Sequence, residues 1–130
     1  MTKDICRTVL LAFVLVLALQ PLVHAQQASP MDFSGVWKDP FDETCWVYRF
    51  IVVENDLVIR TSCAGRSDEI FGRAKLNGRQ FTGRINTTPS PDGGSRYPGN
   101  IEGRIGDDNK IIYMTWPWRD GPHSARLVKE

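Results

Sequence analysis

Aromatic side chains are concentrated in two short stretches that could form a binding surface. Trp46, Tyr48 and Phe50 alternate along the first stretch, and Trp116 and Trp118 flank a proline in the second. Alternate residues of a strand lie on the same face, so each stretch would present its rings on one side. Large rings either fill a core or mark a contact surface. The first interpretation makes these five residues structural, and the second makes them a site for a ligand or a partner.

Three arginines that follow glycines are spaced to share a surface. Arg73, Arg84 and Arg104 each fall at an outward position of a predicted strand, which would place a basic stripe on the sheet. Such a stripe would suit an anionic ligand or a protein partner. The alternative is a solvated sheet face, on which Glu69 and Glu102 lie near enough to pair with the arginines.

Residues for catalysis or metal binding are scarce. His123 is the one histidine beyond the N-terminal region, so no metal site based on several imidazoles can form. No serine or cysteine stands in a nucleophile motif, and most carboxylates lie at turns, where bonds to the local backbone account for them. The sequence therefore predicts a protein that is not an enzyme and has neither a cofactor nor a metal site.

The first 25 residues have the three parts of a secretory signal peptide. A charged start precedes an apolar stretch over residues 9–19, and a Val-His-Ala tripeptide ending at Ala25 precedes a polar run. The apolar stretch is shorter than the roughly 20 residues of a membrane-spanning helix. We therefore expect cleavage after Ala25, a periplasmic or secreted protein, and no membrane insertion of the mature chain. The remainder divides into a flexible N-terminal segment, 26–32, and one domain, 33–130.

Cleavage also changes the charge of the chain. The full sequence has a formal net charge of +1, and Lys3, Arg7 and Asp4 leave with the signal peptide. The remaining domain is formally neutral, and it lacks the basic excess that nucleic acids attract. We therefore expect no nucleic-acid partner.

Two cysteines remain after cleavage, because Cys6 lies in the signal peptide. In an oxidising compartment Cys45 and Cys63 are expected to form a disulfide. A hairpin centred on Asn55-Asp56 would place Cys45 opposite residue 66, too far from Cys63 at roughly 3.3 Å per residue. Either a bulge intervenes, or Cys45 lies in a loop that folds back.

Short segments rich in β-branched and aromatic residues alternate with turn signals from residue 33 onward. We predict eight strands, near residues 33–38, 46–53, 57–63, 70–76, 80–86, 100–105, 110–116 and 123–129. Asn77-Gly78 predicts a two-residue hairpin turn. The inward face is apolar, with Leu57, Ile59, Phe81 and Ile101 among its residues, and glycines recur on it at Gly72, Gly83 and Gly103. The fold class is therefore all-β, an eight-stranded antiparallel up-and-down barrel with one disulfide.

The start of this domain, Ser34-Gly35-Val36-Trp37, combined with Arg126 near the end, resembles the calycins, the superfamily of lipocalins and related eight-stranded barrels. In that superfamily the tryptophan of a first-strand Gly-x-Trp packs across the closed end of the barrel, and an arginine of the last strand stacks on it. The resemblance implies structural roles for Gly35, Trp37 and Arg126, with a cation–π contact between the last two.

The same opening, followed by Cys45, is also similar to exported bacterial inhibitors of secreted metalloproteases. Those inhibitors are barrels of comparable size that insert their N-terminal segment into the protease cleft. This second resemblance implies Cys63 as the disulfide partner and an inhibitory role for residues 26–32.

The sequence as a whole favours an exported, non-catalytic binding protein. It would hold a small apolar ligand or a protein partner at an aromatic-rich end of the barrel. One alternative is an inhibitor of an exported protease or other hydrolase. Another is a structural module associated with the cell envelope.

Overall fold

The computed structural model describes residues 28–64, 67–89 and 96–130. Each strand pairs antiparallel with the next, and the last pairs with the first, so the sheet closes into an eight-stranded barrel. The strands are β1 Gly35–Lys38, β2 Val47–Val53, β3 Asp56–Ser62, β4 Glu69–Asn77, β5 Gln80–Ile85, β6 Asn100–Ile105, β7 Ile111–Trp118 and β8 Gly121–Lys129. The predicted fold class is confirmed, and it is the architecture that the resemblance to calycins implies. The predicted signal peptide, 1–25, lies outside the described residues.

Alternation of side chains explains why these segments form a barrel. Leu57, Ile59, Phe81 and Ile101 are each at most 1% exposed, as the sequence predicts. Apart from Val58, their neighbours along the strands are polar or charged, and these residues lie on the outward face. A sheet with one apolar face buries that face most completely by closing on itself, which also removes the unpaired edges. No helix in the described part of the chain has the length and apolar character needed to cross a membrane.

The hairpin between β2 and β3 turns one residue earlier than the sequence suggests. Val53 pairs with Asp56, so Glu54 and Asn55 form the turn, and Glu54 adopts φ 56°. A turn centred on Asn55-Asp56 would place Glu54 opposite Leu57 on the inward face of the sheet. The observed register keeps this carboxylate in solvent, where its charge has no desolvation cost.

The earlier turn resolves the position of the disulfide. Cys45 and Cys63 lie 4.9 Å apart at Cα and form the predicted bridge, within the roughly 4.4–6.8 Å that disulfides span. Neither a bulge in this hairpin nor a loop folding back is needed. The bridge joins the loop before β2 to the end of β3, at the same end of the barrel.

The hairpin between β4 and β5 is present, but its turn also differs by one residue from the prediction. Asn77 pairs with Gln80, so Gly78 and Arg79 form the turn, with φ 60° at Gly78. A turn centred on Asn77-Gly78 would set Arg79 opposite Leu76 on the inward face. Instead, Arg79 donates to Asn109 Oδ1 at 2.9 Å and to the Gly106 carbonyl, which ties this hairpin to the β6–β7 turn.

One end of the barrel, here called the plugged end, is closed by the chain that precedes β1. Pro30–Phe33 form a single 3-10 turn, which begins within the 26–32 segment that the sequence predicts to be flexible and ends at the first residue of the predicted domain. Phe33 is fully buried, with its ring centre 6.0 Å from that of Phe81. The indole N–H of Trp37 donates to the Phe33 carbonyl at 2.9 Å. Trp37 therefore packs across the closed end, as the resemblance implies.

The cation above Trp37 is Lys129 and not Arg126, so the predicted role of Arg126 is wrong. Lys129 Nζ lies 5.4 Å from the Trp37 ring centre, whereas the Arg126 guanidinium lies 5.8 Å from that of Phe41. Arg126 stands between two buried residues of β8 and so points outward. Lys129 has the opposite parity and pairs with Trp37 in register. Gly35 has φ 132°, and a Cβ there would approach Lys129 Cε to 3.0 Å.

The inward glycines do not leave empty space beside them. A Cβ built at Gly103 would lie 2.2 Å from Phe81 Cζ, and one at Gly72 would lie 2.2 Å from Ile101 Cδ1. At Gly83 it would lie 1.9 Å from the Arg73 carbonyl oxygen. Side chains and the neighbouring backbone therefore fill the space beside these three glycines.

Candidate functional site

The second end of the barrel, here called the aromatic end, is built from rings that touch in series. Trp116 is 7% exposed, with its ring centre 5.4 Å from Phe71, 6.3 Å from Tyr48 and 4.7 Å from His123. Perpendicular and tilted ring pairs at these distances are favourable beyond their buried area. Of the predicted binding residues, Tyr48 and Trp116 are therefore brought together as the floor of this end.

Phe71 joins this cluster because of a bulge in β4. The β3–β4 register shifts between Ile59 and Arg60, which pair with Gly72 and Ile70 and leave Phe71 as the extra residue. Phe71 and Gly72 are consequently both buried, although they are consecutive. Bulges commonly redirect a side chain in this way. Strict alternation along β4 would not place both residues inside, so Phe71 is not among the predicted site residues.

Arg96 braces the loop that precedes β6 against the cluster. Its guanidinium forms an ion pair with Glu69, donates to the Ile70 carbonyl at 3.2 Å, and lies 5.2 Å from the Phe71 ring centre. Both members of the ion pair are mostly buried, so the contact is less screened by solvent than a surface pair. Glu69 thus pairs with Arg96 and not with the predicted basic stripe.

Trp118 forms the exposed rim of the aromatic end. It is 51% exposed, and its ring centre lies 6.2 Å from that of Tyr97, which is 42% exposed. His123 lies between the two indoles, 4.7 Å from Trp116 and 6.3 Å from Trp118. The rim is therefore continuous with the buried floor, so Trp118 is held in place although half of it faces solvent.

A shallow groove of about 390 Å³ runs beside Trp118 on the outer surface of β6, β7 and β8. Its lining includes Asn100, Glu102, Thr115, Pro117, Trp118 and Pro122. We refer to it as the Trp118 groove. It combines flat apolar surfaces with a few polar groups, which is the usual composition of a recognition site.

The other predicted aromatic residues have different surroundings. Phe50 is 1% exposed and lies 6.0 Å from Trp37 and 5.8 Å from Phe81, ring centre to ring centre. It belongs to the core at the plugged end, apart from Tyr48, Trp116 and Trp118 at the aromatic end. Trp46 is partly buried and packs against the core.

Burial affects the ionisation of Tyr48. Desolvation raises the pKa of its hydroxyl from 10.0 to about 12, and the nearby carboxylates of Asp42 and Asp39 add to the rise. Asp42 itself has a lowered pKa, because the backbone and the side chain of Thr44 donate hydrogen bonds to its carboxylate. Tyr48 therefore stays neutral at physiological pH, and its ring serves as packing surface.

The predicted basic residues are exposed but do not form one stripe. Arg73 and Arg84 lie directly opposite each other on β4 and β5. Arg104 pairs with Gln80, and its guanidinium lies 4.4 Å from the Tyr113 ring centre. Arg84 pairs with Asn100, four residues from Arg104, which separates the two by about 13 Å along β6. The patch is thus a pair, Arg73 and Arg84, which forms no ion pair with the described residues.

Comparison of the chain with models of known families, with characterised proteins and with solved structures gives no match.

Proposed function

We propose that this chain is an exported, non-catalytic binding protein that engages a protein partner at the aromatic end of its barrel. The observation that supports this proposal most directly is the half-exposed Trp118, fixed by Tyr97 and His123 at the edge of a groove. Exposed tryptophans anchored by a packed surround are typical of interface hot spots.

A surface partner is favoured over a ligand enclosed in the barrel. Phe33, Phe50 and Phe81 fill the plugged end, and a Cβ added at any of the inward glycines would overlap atoms of its neighbours. At the aromatic end Tyr48 and Trp116 pack on each other and on Phe71. A small apolar molecule would need these rings to separate, whereas a protein partner can use Trp118 as it stands.

An inhibitor of a hydrolase is the alternative function, and in that case we propose that the hydrolase binds at the aromatic end. Residues 28–33 pack back onto the barrel, with Ala28 and Phe33 buried. Insertion of this segment in a protease cleft would first have to expose Phe33. Binding through the loops around Trp118 requires no such rearrangement.

The proposal is tested by photo-crosslinking in cells that export the protein. A benzoylphenylalanine replaces Arg119, in the exposed turn beside Trp118, and a matched protein has it in place of Val53, which is exposed at the opposite end. We expect a discrete protein adduct from position 119 that position 53 does not give. Addition of Trp118→Ala should reduce that adduct at least tenfold, because truncating a hot-spot aromatic costs about 2 kcal/mol or more.

Thermal melts of the three proteins show whether the barrel is intact in each. Identical adducts from both positions, or none from position 119 in folded protein, would contradict the proposal. An adduct that persists in full with Trp118→Ala would contradict the role of the indole.

A further inference from the structure

Resting on the proposed function, we infer that the segment bound in the Trp118 groove is an extended, proline-rich peptide with a basic residue, presented by a partner protein. Three properties of the groove support it: the absence of a free strand edge along it, its rigid ring surfaces, and a carboxylate that forms no ion pair with the described residues.

The Trp118 groove offers no free strand edge to which a peptide could add as a further strand. Its central strand, β7, pairs with β6 on one side and with β8 on the other. Along the groove, Pro117 of β7 pairs with Pro122 of β8, and neither residue has a backbone N–H to donate. A peptide must therefore bind through side-chain surfaces. This requirement suits the polyproline II conformation, which forms no backbone pairs within itself and docks on aromatic grooves.

The groove surfaces are rigid rings. Trp118 and the pyrrolidines of Pro117 and Pro122 lie along it, and Trp118 is supported by Tyr97 and His123. Rings lose little conformational entropy when a ligand covers them, and a polyproline II segment is likewise ordered before it binds. The indole N–H of Trp118 donates to none of the described residues, so it is available to a carbonyl of the ligand.

Glu102 gives the groove its charge preference. Its side chain is exposed on β6 between Thr82 and Thr115, its partners in register. It forms no ion pair with the described residues. Of the outward arginines next to it, Arg104 packs on Tyr113, and Arg84 lies within ion-pairing distance of no described carboxylate. A lysine or arginine of the ligand would meet this carboxylate at the edge of an apolar surface, where the pair is favoured over one in open solvent.

The experiment measures binding of a fluorescent peptide, Arg-Ala-Leu-Pro-Pro-Leu-Pro, to the native protein by fluorescence anisotropy at low ionic strength. Two matched peptides replace the arginine by alanine, or all prolines by alanine. We expect binding that weakens at least tenfold without the prolines. Trp118→Ala should weaken it at least tenfold, and Val53→Ala, at the plugged end, should leave it unchanged.

Glu102→Gln isolates the charge contribution. It should weaken binding of the arginine peptide about twofold to fivefold, as expected for an exposed ion pair. It should leave binding of the alanine peptide unchanged. An equal effect on both peptides would overturn the assignment of the basic residue to Glu102.

Binding that is indifferent to the prolines, or no binding at millimolar protein, would overturn the inference. A chitin oligosaccharide is titrated in parallel, because a sugar could also stack on Trp118. Binding of the sugar with none of the peptide would overturn the inference as well. If position 119 crosslinks to a partner and the peptide does not bind, only the peptide class is wrong. If neither occurs, the proposed function fails too.

Discussion

At the scale of single residues, the interior of this barrel is determined as much by missing side chains as by large ones. Phe81 lies over Gly103, and its ring contacts Phe33 and Phe50 edge to face. The Phe81 ring thus occupies the space that a side chain at position 103 would need. Because the ring is held by two neighbours, it has little freedom to move away from an added methyl group.

We predict that Gly103→Ala destabilises the fold by about 1–3 kcal/mol, the usual cost of overpacking a core. The added Cβ would lie 2.2 Å from Phe81 Cζ. Gly106→Ala is the matched control, because its Cβ would meet the nearest atom at 3.5 Å, an ordinary contact. Urea unfolding of both variants checks this, and equal stabilities would show that the Phe81 ring adapts freely.

Tyr48 makes stability depend on pH in the alkaline range. Burial raises the pKa of its hydroxyl to about 12 in the folded protein, against 10.0 for an ordinary tyrosine. The unfolded chain therefore releases this proton first, and stability falls as the pH rises from 10 to 12. The contribution of Tyr48 to the free energy of unfolding is fully present below pH 10 and amounts to about 3 kcal/mol.

Tyr48→Phe should remove that part of the alkaline loss of stability. Urea unfolding at intervals between pH 9 and pH 12 gives the free energy of unfolding of each protein, and the difference between native protein and variant is compared across this range. Tyr113→Phe, at an exposed position, controls for the loss of one tyrosine and should leave the difference near zero. A difference for Tyr48→Phe that does not change with pH would contradict the burial of the hydroxyl.

At the scale of elements, the sequence predicts the strands well and the turns less well. Eight segments and their inward faces follow from alternation, which is a property of each strand by itself. The two hairpin turns were each displaced by one residue, because Asn-Asp and Asn-Gly are good turn formers wherever they stand. The register is decided instead by keeping Glu54 and Arg79 out of the barrel interior. That comparison involves both strands of a hairpin, which local turn preferences do not include.

The site could be predicted only in part for a similar reason. Trp116 and Trp118 were identified from their type and spacing, but Phe71 reaches the cluster through a bulge, and Arg96 through a loop. Phe50 and Tyr48 share a face of β2, yet they serve opposite ends of the barrel. The position of a residue along its strand decides which end of the barrel it reaches. That position becomes clear only when all eight strands are paired.

The disulfide cross-links the two loops that flank the β2–β3 hairpin. We predict that Cys45→Ala combined with Cys63→Ala lowers the free energy of unfolding by about 3 kcal/mol, from the entropy of the released 18-residue loop. Urea unfolding checks the value. Reductant should reproduce the loss in native protein and have no further effect on the double variant. Native protein whose stability is unaffected by reductant would contradict the prediction.

At the scale of the whole molecule, the barrel is closed at one end by its own N-terminal turn. Phe33 enters the core beside Phe81, and its carbonyl accepts the indole N–H of Trp37. The turn therefore belongs to the folding unit. If residues 26–32 act as an inhibitory arm, they must do so while Phe33, the next residue, stays anchored in the barrel.

Phe33→Ala should cost about 3–5 kcal/mol, since it removes a fully buried ring and leaves a cavity. Met31→Ala is the control from the same turn: Met31 is 63% exposed, and its loss should change stability by less than about 0.5 kcal/mol. Thermal melting of both variants tests this. Similar melting temperatures would show that the turn is not needed to close the barrel.

The chain enters and leaves the barrel at the plugged end. The Glu130 backbone N–H donates to the Val36 carbonyl at 2.9 Å, so the last residue lies beside the first strand. Trp118 lies at the opposite end, where β7 turns into β8. A linker, a label or a solid support joined after Glu130 would therefore leave the groove facing outward. Biosensor surfaces that hold the protein by Glu130 should present the indole to analyte.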